Sequence, residues 1–519
     1  MFCGKIYVYL FVFFYSVNFT LQATSLNYYT GAVVEYHPIV EGKNTTVIAE
    51  ENAKNFIKFL HTAKENQVDI IVFPENGLFS GQPRPPIYRR SFYLPHSTYL
   101  PDYKESKVLC NDSASSVMEV VKTLSCAAKN YSMYVVLNVH EKEECKNCSD
   151  GYHLYNTNIV FDRNGALIAT YRKYHLFGEV GFDRTPKPKL SIFRTDFGVA
   201  FGQFICFDLL FGSPALSLVR EKNITDIVFS SRWFSHLPYL SANQIQAGWS
   251  YVNDVNFLGS GYNSPVTGNT GSGIYAGRNG RIIDIWSETP TNALLIAKVP
   301  KMTNGKRKEP INQNATKIIN YSAIEIPTIT RQKSISQQKL WSDNLSLFTT
   351  DFLHLTNGTH NATVCHGGFC CNFTTDIVFH DHLLENGALY YRYHFAVFNG
   401  VLSYAKLGKA GVQVCSIISC LTQDSNNCNK RFDVNTNIVQ PVTFNSIVIS
   451  STSEDSNNIV HFPLSIKSEM DPLNINEFTF VRKKINETHV SLNYSFTKPY
   501  NNLMTFAIYG RNFKDDDFL

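Results

Sequence analysis

The sequence predicts an α/β domain over residues 24–300 and a second, disulfide-braced, β-rich domain over 346–519, joined by a polar linker at 301–345. Three observations carry this. At 519 residues the chain is too long for one ordinary core, so two domains are expected, each able to bury a sizeable interior. Up to about residue 300, helix-period segments alternate with short apolar runs. Beyond the linker the texture changes to β-branched and aromatic runs, and six of the eleven cysteines that follow Cys3 fall there.

Within the first domain, AEENAKNFIKFLHTAKEN (49–66) sets Phe56, Phe59, Leu60 and Ala63 at helical spacing, and VDIIVFPE then reads as a buried strand. SSVMEVVKTLSCAAKNY repeats the pattern, with Val117, Val120, Val121, Leu124 and Ala128 on one face, before the strand MYVVLNVH. NTNIVFD, the turn Arg163-Asn164-Gly165 and ALIATYRK form a hairpin signal. Such repetition argues for central sheets covered by helices. VAFGQFICF is a further strand pattern, and SPALSLVREK offers Ser213 as an N-cap with Pro214 at the first helical position. Residues 301–345 are polar, carry Pro310 and Pro327, and are expected to wrap the first domain. HVSLNYSFT and LMTFAIYG read as strands of the second.

The chain opens MFCGKIYVYLFVFFYSVNFTLQATS: one lysine, about ten apolar residues, then smaller and more polar ones near Ala23, the layout of a secretory signal over residues 1–23. Ser16 and Asn18 interrupt the run, which falls short of the roughly 20 residues of a spanning helix. The other end, MTFAIYGRNFKDDDFL, is charged and lacks the apolar tail of a lipid-anchor signal, so a secreted, extracellular product without an obligate membrane anchor is expected. Beyond the signal segment, thirteen Asn-X-Ser/Thr sequons agree with a glycoprotein: Asn44, Asn111, Asn130, Asn147, Asn223, Asn314, Asn320, Asn344, Asn357, Asn361, Asn372, Asn486 and Asn493.

A net charge of +4 is small for this length. The local basic cluster Lys306-Arg307-Lys308 sits beside Asn304-Gly305 and Pro310 and reads as solvated linker, so no nucleic-acid partner is expected.

In an oxidising compartment cysteines pair, and eleven remain once Cys3 leaves with the signal. An odd thiol is either an intermolecular bridge or a free reactive group. Cys206 sits in an uninterrupted apolar strand pattern far from any other cysteine, which makes it the one left over. A turn between strand and helix exposes a nucleophile and aims backbone N–H groups at one point, as an oxyanion requires. Two further residues end strands: Glu75 after IIVFP, and Lys173 in ATYRKYHLFGE. Singly, each reads as an ordinary surface charge.

Together, an acid after an apolar run and proline, a lysine in YRKYHL and a cysteine in CFD resemble the Glu-Lys-Cys triad of the nitrilase superfamily. GQFICFDLLFGSPALSLV, LPYLSANQIQAGWS, VNFLGSGYNSP and TGSGIYAGRNG are similar to successive blocks of its vanin and biotinidase branch, and VCHGGFCCNF and VCSIISCLTQDSNNC to that branch's second domain. The resemblance implies a four-layer αββα catalytic domain, a β-rich second domain, and hydrolysis of a linear amide without metal or organic cofactor. It implies Glu75 as the base, Cys206 as the nucleophile, and Lys173 with the Phe207 N–H as oxyanion donors. Lys173 is also expected to favour the thiolate by proximity. Glu179 is the candidate second acid supporting Lys173, and Trp233 a candidate for lining the pocket. Arg232 departs from the uncharged residue expected before that tryptophan.

Vanin-like enzymes cleave pantetheine to pantothenate and cysteamine, and biotinidases cleave biotinyl amides such as biocytin. VNFLGSGYNSPVTGNTGSGIY is more similar to the invertebrate vanin-like proteins, so pantetheine is the expected small-molecule substrate and biocytin the alternative. From other classes, a secreted binding protein without catalysis would lack a triad residue, and all three are present. A metal site at CKNC (145–148), or at His366 with Cys365 and Cys370, competes with disulfides, which secretion favours.

Overall fold

The layering begins with strand Tyr28–Glu35, whose neighbouring side chains face opposite ways: Ala32 and Val34 into one apolar cluster, Val33 into another. A computed structural model describes residues 27–40, 45–80, 90–321, 339–404 and 407–518. The expected signal segment and the Asn44 sequon lie outside the described residues.

The strand lies within a seven-stranded sheet, in the order 316–320, 293–300, 28–35, 70–72, 134–144, 152–161 and 167–172. A six-stranded sheet faces it, in the order 281–285, 272–276, 256–261, 226–231, 200–205 and 191–194. Strands 28–35, 70–72 and 134–144 run parallel, as do 200–205, 226–231 and 256–261. Val33, Ile70, Val72, Val228 and Leu258 fill the space between the sheets. Helices Thr45–Glu65 and Glu119–Tyr131 bury Phe56, Phe59, Leu60, Val121 and Leu124 on the outer face of the first sheet. Helix Ala242–Asn253 buries Ile245 and Trp249 against Phe204, Phe229 and Phe257 of the second. The result is an αββα sandwich.

The second domain is two five-stranded antiparallel sheets whose inner faces meet through Phe373, Phe395, Ile417, Ile449 and Phe506. Cys371–Cys415 ties one sheet to the other across a separation of 44 residues, a closure worth about 4 kcal/mol in the chain-entropy account. The two domains share one apolar cluster: Val460, Phe462, Leu464 and Tyr509 join Trp249 and Phe204. A Cβ at Gly248 would lie 2.6 Å from Leu464 Cδ2 and 3.3 Å from the Pro463 carbonyl, so a larger residue where this helix meets the second domain would have to displace Leu464.

Between the domains, Thr316–Asn320 adds an edge strand to the first sheet and Trp341–Ser342 pairs with His236–Leu237. Two expectations change. Arg307 is not solvated: its buried guanidinium meets Asp254 at 2.5 Å and Asn256, because Lys306–Arg307 folds back on Met302–Thr303. The helix expected from Ser213 shrinks to one regular turn, Ser217–Arg220, after an irregular turn Gly212–Leu216 in which Ser213 is extended (φ −121°, ψ 135°).

The disulfides are Cys110–Cys126, Cys145–Cys148, Cys365–Cys370, Cys371–Cys415 and Cys420–Cys428, leaving Cys206 free among the described residues. The cysteines of both metal-like clusters are thus bonded to each other. Thiol titration of the mature protein, denatured without reductant, should give one thiol per chain, and a Cys206→Ala variant none.

Candidate active site

Three strand ends deliver the charged groups to one place. Strand Ile70–Val72 leads through Phe73 and Pro74 to Glu75, strand Leu167–Arg172 ends at Lys173, and strand Ala200–Ile205 ends at Cys206. Ser230 Oγ donates to the Phe73 carbonyl at 2.8 Å, pinning the Glu75 strand end across the two sheets. Cys206 opens a tight turn, Cys206–Leu210, with φ at +48°, a left-handed conformation that is strained for a residue bearing a Cβ and common at functional turns.

Asp208, in the same turn, locks it to the lysine strand. Its carboxylate accepts from Tyr171 Oη at 2.8 Å, from the His175 backbone N–H at 2.9 Å and from the Ile205 N–H at 3.2 Å. The His175 ring stacks on Phe211 with centroids 3.6 Å apart. From the second domain, the buried Arg511 donates to the Leu210 carbonyl at the end of the turn.

Lys173 Nζ lies 2.6 Å from Glu75 Oε1 and 2.9 Å from Glu179 Oε2, so one ammonium bridges two carboxylates. Glu75 Oε2 accepts from the Arg232 backbone N–H at 2.8 Å, and the charge of Glu75 acts directly on the Cys206 thiol. Glu179 also accepts from the Phe177 N–H at 3.0 Å. Because the contact at position 232 is made by backbone, the unusual arginine there leaves it intact; the Arg232 guanidinium lies over the Tyr262 ring at 4.4 Å.

Sequence reading missed the amide that joins the two acids. Asn156 Nδ2 donates to Glu75 Oε1 at 2.8 Å and to Glu179 Oε1 at 2.7 Å, while its Oδ1 accepts from Asn138 Nδ2 at 2.7 Å. Asn138 Oδ1 in turn accepts from the Asn76 N–H at 2.8 Å, next to Glu75. The available signal was asparagine inside two apolar strands, Asn138 in one and Asn156 and Asn158 in the other, since a buried amide there needs partners.

Burial governs the ionisation. It raises the Glu75 carboxyl above its ordinary value, and Lys173 offsets only part of that. Burial opposes charge on Lys173, yet Glu179 and Glu75 hold it protonated well above the usual lysine range. For Glu179 burial is outweighed by Lys173, and its carboxyl falls below the ordinary value. Lys173 favours the thiolate, as expected, but burial and then the Glu75 charge outweigh it and push the Cys206 thiol well up. The resting site therefore pairs a neutral thiol with an ionised acid that is a stronger base than a free glutamate, the combination for proton transfer during attack.

Cys206 opens into a cleft walled by Phe177, Phe207, Leu210, Trp233, Phe234 and Leu240. Trp233 is fixed there by its indole N–H, which donates to the Leu240 carbonyl at 2.8 Å. Glu75, Lys173, Cys206, Glu179, Phe207 and Trp233 are thus all brought to this site or its walls. Among the described residues no helix is long and apolar enough to cross a membrane.

The family model described as carbon-nitrogen hydrolase matches residues 32–301, and the vanin C-terminal domain matches residues 338–516. Vanin-like protein 1 of Drosophila melanogaster is 33% identical over 95% of this chain and 87% of its own. The pantetheinase of Canis lupus familiaris is 33% identical over 71% of this chain and 68% of its own, and that of Homo sapiens 28% identical over 78% and 77%. Among solved structures, Saccharomyces cerevisiae Nit3, a member of branch 10 of the nitrilase superfamily, aligns with a TM-score of 0.41 at 18% identity, covering 53% of this chain and 90% of its own.

Proposed function

We propose that this chain, which belongs to the nitrilase superfamily of carbon-nitrogen hydrolases and to its vanin branch, is a secreted glycoprotein that cleaves pantetheine to pantothenate and cysteamine through a thioester on Cys206. The observation that carries the chemistry is one ammonium between two carboxylates, with a buried free thiol beside the acid whose basicity burial has raised. The substrate reading is supported by the relatives that bear the name pantetheinase. Secretion is supported by five disulfides among the described residues. Glycosylation is supported by exposure: of the twelve described sequon asparagines all but the half-buried Asn493 are exposed.

In the first half-reaction Glu75 takes the Sγ proton as the Sγ–C bond forms at the amide carbonyl. The oxyanion lies between the Lys173 ammonium and the Phe207 backbone N–H. Collapse breaks the C–N bond while Glu75 returns the proton to nitrogen, and cysteamine leaves. Water then attacks the thioester, giving its proton to Glu75; on collapse that proton passes to Sγ and pantothenate departs. Glu179 has a definite task here. When Glu75 is protonated, Lys173 would otherwise be a buried charge without a partner, a cost of several kcal/mol. Glu179 keeps it paired throughout the cycle.

The pH dependence follows with its sign. Attack requires ionised Glu75, so kcat/KM falls as pH drops through a raised carboxyl pKa, and the acid limb lies above the ordinary glutamate value of about 4.3. Lys173 is held charged well above the usual range, so it contributes no alkaline limb below about pH 10. A pH–rate profile with an acid limb at or below about 4.3 would remove Glu75 as the base.

Amine release from pantetheine and from biocytin by the purified protein tests the substrate. Turnover of pantetheine and not biocytin is expected. Turnover of biocytin alone, or of neither, overturns the substrate assignment.

A further inference from the structure

The second domain reaches into the cleft above Cys206. Its hairpin, strands Arg392–Tyr404 and Gly408–Cys420, places Tyr404 among the lining side chains, with the ring centroid 6.1 Å from that of Phe207. Leu407 of the same hairpin lies 3.6 Å from where a Cβ on Gly178 would be, in the loop between Lys173 and Glu179.

This cleft is otherwise almost without polar side-chain atoms. The Trp233 N–H is spent on Leu240 O, and His236 faces Asp343 at 3.4 Å while stacking on Trp341. Tyr404 Oη lies 2.8 Å from Tyr509 Oη. Two phenols that share one hydrogen bond own two protons. Tyr509 is fully buried, and Tyr404 Oη is the oxygen its hydroxyl faces, with either of the two able to donate. A buried O–H left undonated is costly, so Tyr509 donates and Tyr404 accepts. The Tyr404 proton then remains to be given, at the less buried end of the pair, where the side chain lines the cleft.

We propose that Tyr404, supplied by the second domain, is a specificity-determining residue: its hydroxyl donates to an oxygen on the arm of the bound amide, so the cleft favours oxygen-bearing arms over purely aliphatic ones. This rests on the reading that Cys206 is the nucleophile of an amide hydrolase. An apolar slot with one unspent donor discriminates by that donor, because a ligand without an acceptor leaves it desolvated and unpaired.

The test compares the wild type with Tyr404→Phe on two readouts. In turnover, the ratio of kcat/KM for pantetheine to that for an aliphatic amide of similar length should fall about tenfold, mainly through KM for pantetheine. In alkylation of Cys206, N-alkyl chloroacetamides with and without a hydroxyl on the arm should show the same loss of preference, followed by mass spectrometry of the intact protein. Loss of the Tyr509 contact affects both members of each pair alike, so the ratios report selection and not stability. Unchanged ratios in the variant overturn the assignment. A wild type that is alkylated but does not turn over pantetheine overturns the substrate reading, and Tyr404 is then decided by the alkylation ratio: its collapse supports the donor, its persistence rejects it.

Discussion

Replacing Cys206 with alanine is expected to lower pantetheine turnover by on the order of 10⁶-fold, to the detection limit, as loss of a nucleophile does elsewhere. The size follows from what remains. Without sulfur no acyl-enzyme forms, and direct attack by water would have to occur in a cleft shaped around Sγ and walled by Phe207, Trp233 and Phe234. The fold should survive, because Cys206 carries no disulfide, and a buried side chain reduced by one atom costs less than about 2 kcal/mol. The variant should therefore be secreted with an unchanged melting profile. Wild-type protein quenched during turnover should carry an acyl adduct that the variant lacks. Turnover in Cys206→Ala within tenfold of wild type would end the thioester mechanism.

Lys173→Met is expected to lower kcat by at least 100- to 1000-fold, the usual loss for one oxyanion donor, and to destabilise the protein by about 3–5 kcal/mol. Both effects have one origin. Glu75 and Glu179 share the Asn156 amide as well as the lysine, and methionine leaves two carboxyls facing each other in a buried site with no cation between them. Two such groups cannot both ionise cheaply, so one holds a proton at neutral pH. Lys173 normally lowers the Glu75 pKa, so its removal moves the acid limb of the residual activity to higher pH. A lysine that acted only in packing would leave that limb in place. Adding Glu179→Leu to Lys173→Met removes the surplus carboxyl and should recover thermal stability without recovering rate.

Much of this site was legible because its chemistry stands at strand ends. Glu75, Lys173 and Cys206 each stand just past the end of a strand, where a side chain leaves the core. Cysteine arithmetic identified Cys206 independently, since pairing removes ten of eleven and spares the one inside a strand pattern. What stayed hidden depends on cross-chain placement. Asn138 and Asn156 become partners only when strands 134–144 and 152–161 pair with their register set by the fold. Tyr404 lies nearly two hundred positions from Cys206 and shares its cleft through a domain interface that no local pattern encodes. Arg307 sat in a basic triplet that reads as solvent-facing, whereas a two-residue turnback carries it onto Asp254. The pull of Lys173 on the thiol was visible in the sequence, but the desolvation that outweighs it belongs to the packed structure.

The neutral, enclosed state of Cys206 has a bearing on how long the protein keeps working. Oxidants such as peroxide attack thiolates at accessible sulfur, and exchange with soluble disulfides needs the same species. Cys206 offers neither charge nor exposure until an amide enters the cleft and the proton moves to Glu75. The arrangement thus lets a nucleophilic sulfur persist in a protein that carries five formed disulfides among its described residues.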